Sequence, residues 1–133
     1  DMTINIRWFD DTKSIILWEI EGKWTLDEMH EAYTEGNKMC LEVPENTVNA
    51  LIDVTGSKAI PSNIFGALSS RSRTGAVNYD MAVLVSNNSL IKAFASALNS
   101  LPGLREQFIV VRTREEALAF IEKRRMERES IRP

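Results

Sequence analysis

Most of the side chains able to do chemistry in this sequence fall in four short polar stretches. They are Lys23 and Thr25; Thr55, Ser57, Lys58 and Ser62; Ser86, Asn87, Asn88 and Ser89; and Arg112, Thr113 and Arg114. Each follows an apolar run of strand character and precedes an apolar pattern of helical spacing, so each opens a helix. A helix start leaves backbone N–H groups without partners and carries the positive end of the helix dipole. Hydroxyls, amides and cations gathered there are the raw material of an anion or phosphate site. The competing explanation is plain capping, since Ser, Thr and Asn are the usual helix caps.

Outside those stretches the chemistry is thin. Asp53 closes an apolar strand beside Thr55, where an acid can serve as a base or simply accept N–H bonds from the following turn; the second role is the commoner one. His30 stands off the apolar stripe of its helix with no second His near it in sequence, which describes a solvated side chain rather than a metal ligand. Cys40 falls on the buried stripe as a small core residue. Gly56, Gly66 and Gly75 lack dinucleotide or phosphate-loop spacing, and no Gly-Lys-Ser/Thr follows a strand. Arg71 and Arg73 sit in a last helical turn, where the dipole favours cations. Trp8, Trp18 and Trp24 cluster around the first hairpin and helix, where core packing is the default and a lipid or partner groove the minor reading. No catalytic residue, metal site or cofactor follows from these patterns.

The elements that must position the polar stretches can be read from periodicity. Thr3 to Phe9 and Ser14 to Glu21 are two β-rich runs joined by the turn Asp10-Asp11-Thr12-Lys13, an antiparallel hairpin. In the second run Ile16, Trp18 and Ile20 share one face, and Ile15 and Leu17 the other. Thr25 and Glu28 form a capping box, with Trp24 placed to staple onto Met29. Met29, Ala32, Tyr33, Gly36 and Cys40 then make one helical stripe running to about Leu41, and Pro44 ends the helix. Val48 to Val54 is an apolar strand covered on both faces, and a hydroxyl-rich loop from Thr55 leads to a second helix with Pro61 in its first turn. Met81 to Val85 is the fourth strand. Ser86 to Ser89 opens a third helix, Phe108 to Val111 is the fifth strand, and Thr113 with Glu116 caps a fourth helix carrying Ala117, Leu118, Phe120 and Ile121 inward. From Lys123 the sequence is charged nearly all round, a solvated helix end and tail.

The order β-β-α-β-α-β-α-β-α predicts one α/β domain over residues 1–122, followed by the charged segment 123–133. Its sheet should be five-stranded and mostly parallel, with an antiparallel N-terminal edge strand. In such a sheet the strand-to-helix loops all emerge at one edge, so the four polar stretches should share a rim. A chain of 133 residues with 44% hydrophobic and 26% charged residues is an ordinary globular composition. No apolar run reaches the ~20 residues of a spanning helix, and no charged leader precedes an apolar segment. With one cysteine and a net charge of −3, the expectation is a cytoplasmic protein that does not bind nucleic acid. Aromatic residues near the edge hairpin are compatible with a homodimer.

Gly22-Lys23-Trp24-Thr25, Leu51-Ile52-Asp53-Val54-Thr55-Gly56 and Val111-Arg112-Thr113-Arg114-Glu115-Glu116-Ala117 together resemble the bacterial SpoIIAA-like proteins. That group is similar to STAS domains and, more distantly, to CRAL-TRIO lipid-binding domains. The resemblance implies a compact regulatory or ligand-binding domain without catalysis. Anti-sigma antagonists of this kind are phosphorylated on a serine within Asp-Ser-Ser-Gly at the start of the second helix. Ser62 matches that serine, while the surrounding Pro61-Ser62-Asn63-Ile64 lacks the Asp, the second Ser and the Gly. The leading expectation is a non-enzymatic STAS-like regulatory or protein-interaction domain, working through an anion or partner site on the rim with Ser62 as phosphosite. The alternative is a small-molecule or lipid-binding domain with an apolar pocket under the rim, lined by Ile60, Phe65 and Phe94.

Overall fold

The structure, a computed structural model, describes residues 3–61, 76–100 and 108–131. Along the chain these form β1 (Ile4–Trp8), β2 (Ile15–Gly22), α1 (Leu26–Glu42), β3 (Val48–Ser57), β4 (Tyr79–Val85), α2 (Ser89–Asn99), β5 (Phe108–Val111) and α3 (Arg114–Ile131). The strands lie in sequential order, β1-β2-β3-β4-β5. β1 is antiparallel to β2, and every other pair is parallel. The predicted second helix, with Ser62, Phe65, Arg71 and Arg73, and the predicted stop at Leu101-Pro102-Gly103 lie outside the described residues.

Sequential order has a geometric consequence. Crossovers of one hand that always step the same way must lay their helices on one face of the sheet. α1 and α2 accordingly share a single core with Ile16, Trp18 and Ile20 of β2, Ala50 of β3 and Leu84 of β4. Among the described helices α3, which follows β5, lies on the other face, and its Ala117 and Ile121 pack over Ile15, Leu17, Leu51 and Val83. The period-two alternation of β2 thus sorts into two cores as its sequence predicts.

Local signals set the element ends. In the hairpin the Asp10 carboxylate accepts from the Thr12 N–H at 3.0 Å, and Lys13 turns the chain with a φ of 53°. At the α1 start the capping box is complete: the Thr25 hydroxyl accepts from the Glu28 N–H at 3.1 Å, and the Glu28 carboxylate accepts from the Thr25 N–H at 3.0 Å. The α1 exit is held from outside the helix. The Asn78 amide nitrogen donates to the carbonyls of Cys40, Val43 and Asn46 at 2.9, 3.1 and 3.1 Å.

Two features differ from the sequence reading. β3 continues through Thr55-Gly56-Ser57, which the hydroxyl content marks as loop; Gly56 pairs with Glu21 and Ser57 with Gly22 across a register shift in β2. A Cβ on Gly56 would sit 3.0 Å from the Glu21 side chain and 3.4 Å from the Ile20 carbonyl, so glycine eases the close approach of the two strands there. The charged stretch after Lys123 stays helical through Ile131 and is anchored rather than free. Arg124 and Arg128 both pair with Asp80, at 2.8 and 2.6 Å.

Because one Asn78 amide group serves three carbonyls between a helix end and the next loop, Asn78→Ala should lower unfolding stability by about 1–3 kcal/mol. Urea denaturation should show a reduced midpoint with an unchanged slope.

Candidate functional site

The carboxyl ends of β2, β3, β4 and β5 open on one rim, and α1, α2 and α3 all begin there. The Lys58 N–H donates to the Gly22 carbonyl at 2.9 Å, which brings the loops carrying Lys23 and Lys58 side by side. Next to them the Trp24 indole N–H donates to the Ser57 hydroxyl at 2.9 Å, and that hydroxyl donates to the Ala59 carbonyl at 3.2 Å. A shallow crevice of about 260 Å³ joins Thr55, Ser57, Ser86 and Asn87. A second, of about 610 Å³, shares Ser86 and Asn87 and adds Ser89, Lys92 and Arg112. Lys92 is not among the residues singled out from sequence, because it lies one turn into α2 rather than in the loop.

Several rim groups are occupied by the fold. The buried Ser86 hydroxyl accepts from the Asn88 N–H at 3.1 Å, and the Asn88 side chain caps α2 by accepting from the Leu90 N–H at 2.9 Å. The Thr113 hydroxyl caps α3 by accepting from the Glu116 N–H at 3.1 Å. Lys23, Lys58, Asn87, Ser89 and Arg112 remain exposed. Ser62 lies outside the described residues.

Arg114 behaves differently from the other rim cations. Its guanidinium donates to Asp53 at 2.8 Å and to Glu19 at 2.9 Å. Glu19 is also paired with Arg7. Asp53 accepts in addition from the Thr55 N–H at 2.9 Å and the Thr55 hydroxyl at 2.6 Å. Burial works to raise the Asp53 pKa, but the Thr55 hydroxyl and N–H and then Arg114 outweigh it and hold the carboxyl below its ordinary value. The Arg114 hydrogen bond, followed by Arg7, likewise lowers Glu19, with partial burial opposing. Arg114 itself is driven further toward the charged form by Glu19 and Asp53. Its charge is therefore balanced within the fold and adds little to any rim anion site.

Beneath the rim, between the sheet and the helices α1 and α2, lies an apolar cavity of about 140 Å³. Among the described residues its walls include Trp18, Trp24, Met29, Tyr33, Leu84 and Phe94. Of the predicted pocket residues, Phe94 lines it, Ile60 packs half-buried against the same core, and Phe65 lies outside the described residues. The Cys40 thiol is also in its wall, and burial raises its pKa, which disfavours the thiolate. His30 is exposed, as its place off the stripe predicts. Among the described residues no group of three or more His, Cys, Asp or Glu is placed to hold a metal ion, and no helix is long and apolar enough to cross a membrane.

The architecture is a SpoIIAA-like fold. A crystal structure of an uncharacterized protein of the DUF3478 family with a SpoIIAA-like fold, from Shewanella loihica PV-4, superposes with a TM-score of 0.63 at 16% identity. The match covers 88% of this chain and 90% of that one. No protein-family model matches the sequence, and no curated protein matches it.

The lowered carboxyls give a signed pH dependence. Groups whose folded pKa is depressed stabilise the protein above their unfolded pKa, and that contribution is lost as pH falls through the folded value. The wild type should hold its Arg114-linked stability from neutral pH down to about 4, the ordinary carboxyl range, and lose it below. Arg114→Met should raise the midpoint of acid unfolding followed by circular dichroism. An unchanged midpoint would show that the Arg114 contacts do not set these carboxyls.

Proposed function

We propose that this chain is a non-enzymatic binding domain that takes a small apolar molecule into the cavity between α1, α2 and the sheet. The observation carrying this reading is the cavity itself: about 140 Å³ of space walled by aromatic and aliphatic side chains. An apolar cavity of roughly 150 Å³ accommodates one benzene-sized ring. The ligand class is accordingly a single aromatic ring or a short acyl chain. Trp24 supports a link between cavity and rim, because its ring lines the cavity while its N–H bonds to Ser57 at the strand end. This reading takes up the second of the two functions expected from sequence.

Gly36 offers a test. Among the described residues a Cβ at that position would meet only Trp18, at an ordinary 3.6 Å, and Gly36 lines the cavity, so a longer side chain there takes up its space. Indole at saturating concentration should raise the melting temperature of the wild type, by mass action on a folded-state site. Gly36→Leu should fold and lose that response. A response of equal size in both proteins would place indole elsewhere and remove the reading.

A regulatory or protein-interaction role at the rim is the second reading, and the adjacency of Lys23 and Lys58 supports it. Both are exposed, their loops are tied by the 2.9 Å bond from Lys58 to Gly22, and no ion pair joins either one to a described residue. On this reading the double change Lys23→Glu with Lys58→Glu should leave stability within about 0.5 kcal/mol of wild type, as for ordinary surface positions. It should weaken binding of inorganic phosphate or of an acidic partner at least tenfold by calorimetry. Equal affinities for the two proteins would sink it.

A further inference from the structure

The end of the sheet opposite the rim carries a second polar concavity, unrelated to the apolar cavity and on the other face. It is a crevice of about 330 Å³ where the hairpin turn, the loop before β3 and the end of α3 converge, and its lining includes Ser14, Glu45, Asn49, Arg125, Arg128 and Glu129. The alternation of β3 places Asn49 on the α3 face: Val48 and Ala50 belong to the core under α1, and Leu51 to the core under α3. Asn49 is 6% exposed. Its side-chain oxygen is buried and has no hydrogen-bond partner among the described residues. A buried amide oxygen in that state calls for a donor.

The charges of the lining show what kind of donor. Arg128 pairs with Asp80 at 2.6 Å, and Asp80 also holds Arg124 at 2.8 Å. Arg125 pairs with Glu122 at 3.4 Å and donates to the Ser14 hydroxyl at 3.1 Å. Each of these guanidiniums is thus paired within the fold, with Arg124 and Arg128 sharing Asp80. Glu45 and Glu129 line the same crevice with no ion pair or hydrogen bond from their side chains to a described residue. What remains unengaged is acceptor: two carboxylates at the surface and one buried amide oxygen inside. An anion would have to compete with Asp80 and Glu122 for guanidiniums already paired, and a neutral apolar molecule would leave Asn49 as it is. A compact cation with several N–H donors satisfies all three groups.

We propose that this crevice is a binding site for a small organic ammonium, one N–H group donating to the Asn49 side-chain oxygen while the charge rests between Glu45 and Glu129. The site is independent of the apolar cavity, and its success or failure leaves the proposed function untouched.

The test is a titration of ¹⁵N-labelled protein with 1,4-diaminobutane at constant ionic strength, with acetamide as a neutral donor and acetate as an anion. The expected result is saturable movement of the Asn49 side-chain amide and of the Ser14 and Thr47 backbone amides with the diamine alone. Asn49→Leu should abolish it. The exposed pair Glu45→Gln with Glu129→Gln, which touches no core contact, should weaken it at least tenfold and keeps the test decisive should Asn49→Leu not fold. Absence of saturable movement, equal movement with acetamide, or an affinity unchanged in the glutamine pair would each overturn the proposal.

Discussion

Among the described residues the second face of the sheet is closed by α3, and that helix is fixed by charge at both ends and by apolar contact in the middle. At its start Arg114 reaches Asp53 and Glu19; about three to four turns later Arg124 and Arg128 reach Asp80. Between them Ala117 and Ile121 are almost wholly buried over Leu51 and Val83, which are themselves inaccessible. Apolar burial of this kind supplies most of the free energy, at about 1.5–3 kcal/mol per large aliphatic side chain. It sets no direction or register. The ion pairs do, since an antiparallel run of α3 across the strands is the arrangement that puts Arg114 over the strand ends and Arg128 over the strand starts. Asp80, with a side chain only 7% exposed, would be costly to leave unpaired.

This dependence explains which parts of the fold were legible in sequence. The hairpin, the capping box at Thr25, the hydroxyl cap at Thr113 and the two-faced pattern of β2 are local signals, and each is seen in the structure; the return bond of a box at Thr113 is not, because the Glu116 carboxylate accepts from the Arg112 N–H. Strand order is not local, yet a single direction of stepping made it as simple as such a sheet allows. Partners distant in sequence were invisible. Arg114 reads as one more cation at a helix start until Asp53 is found 61 residues earlier in the chain beside it. Likewise the charged run after Lys123 looks solvated because its counter-ion, Asp80, lies 44 residues before Arg124. β3 runs past its apolar pattern for a related reason: Gly56 and the hydroxyls beside it resemble a loop, and their pairing with Glu21 and Gly22 belongs to another strand.

The candidate sites divide along the same line. The rim was legible, because parallel strands must deliver their loops to one edge, and the loops carrying Thr55, Ser57, Ser86, Asn87, Ser89 and Arg112 do meet there. The cavity was legible only in part. Trp18, Trp24, Met29 and Tyr33 show as apolar positions on two elements, but whether apolar side chains fill the space between them depends on their combined shape, which no periodicity records. Asn49 gave no signal at all, since an amide at the start of a strand is unremarkable until its surroundings are known.

Sequential strand order also bears on how the protein emerges from the ribosome. Each strand can join its predecessor as soon as it is made, and α1 covers the first core early. Among the described residues, the helix that covers Leu17, Leu51 and Val83 is the segment from Arg114 to Ile131, made after all five strands. A chain stalled after β5 would therefore hold a nearly finished sheet with one greasy side open to water, the kind of surface that chaperones and proteases recognise.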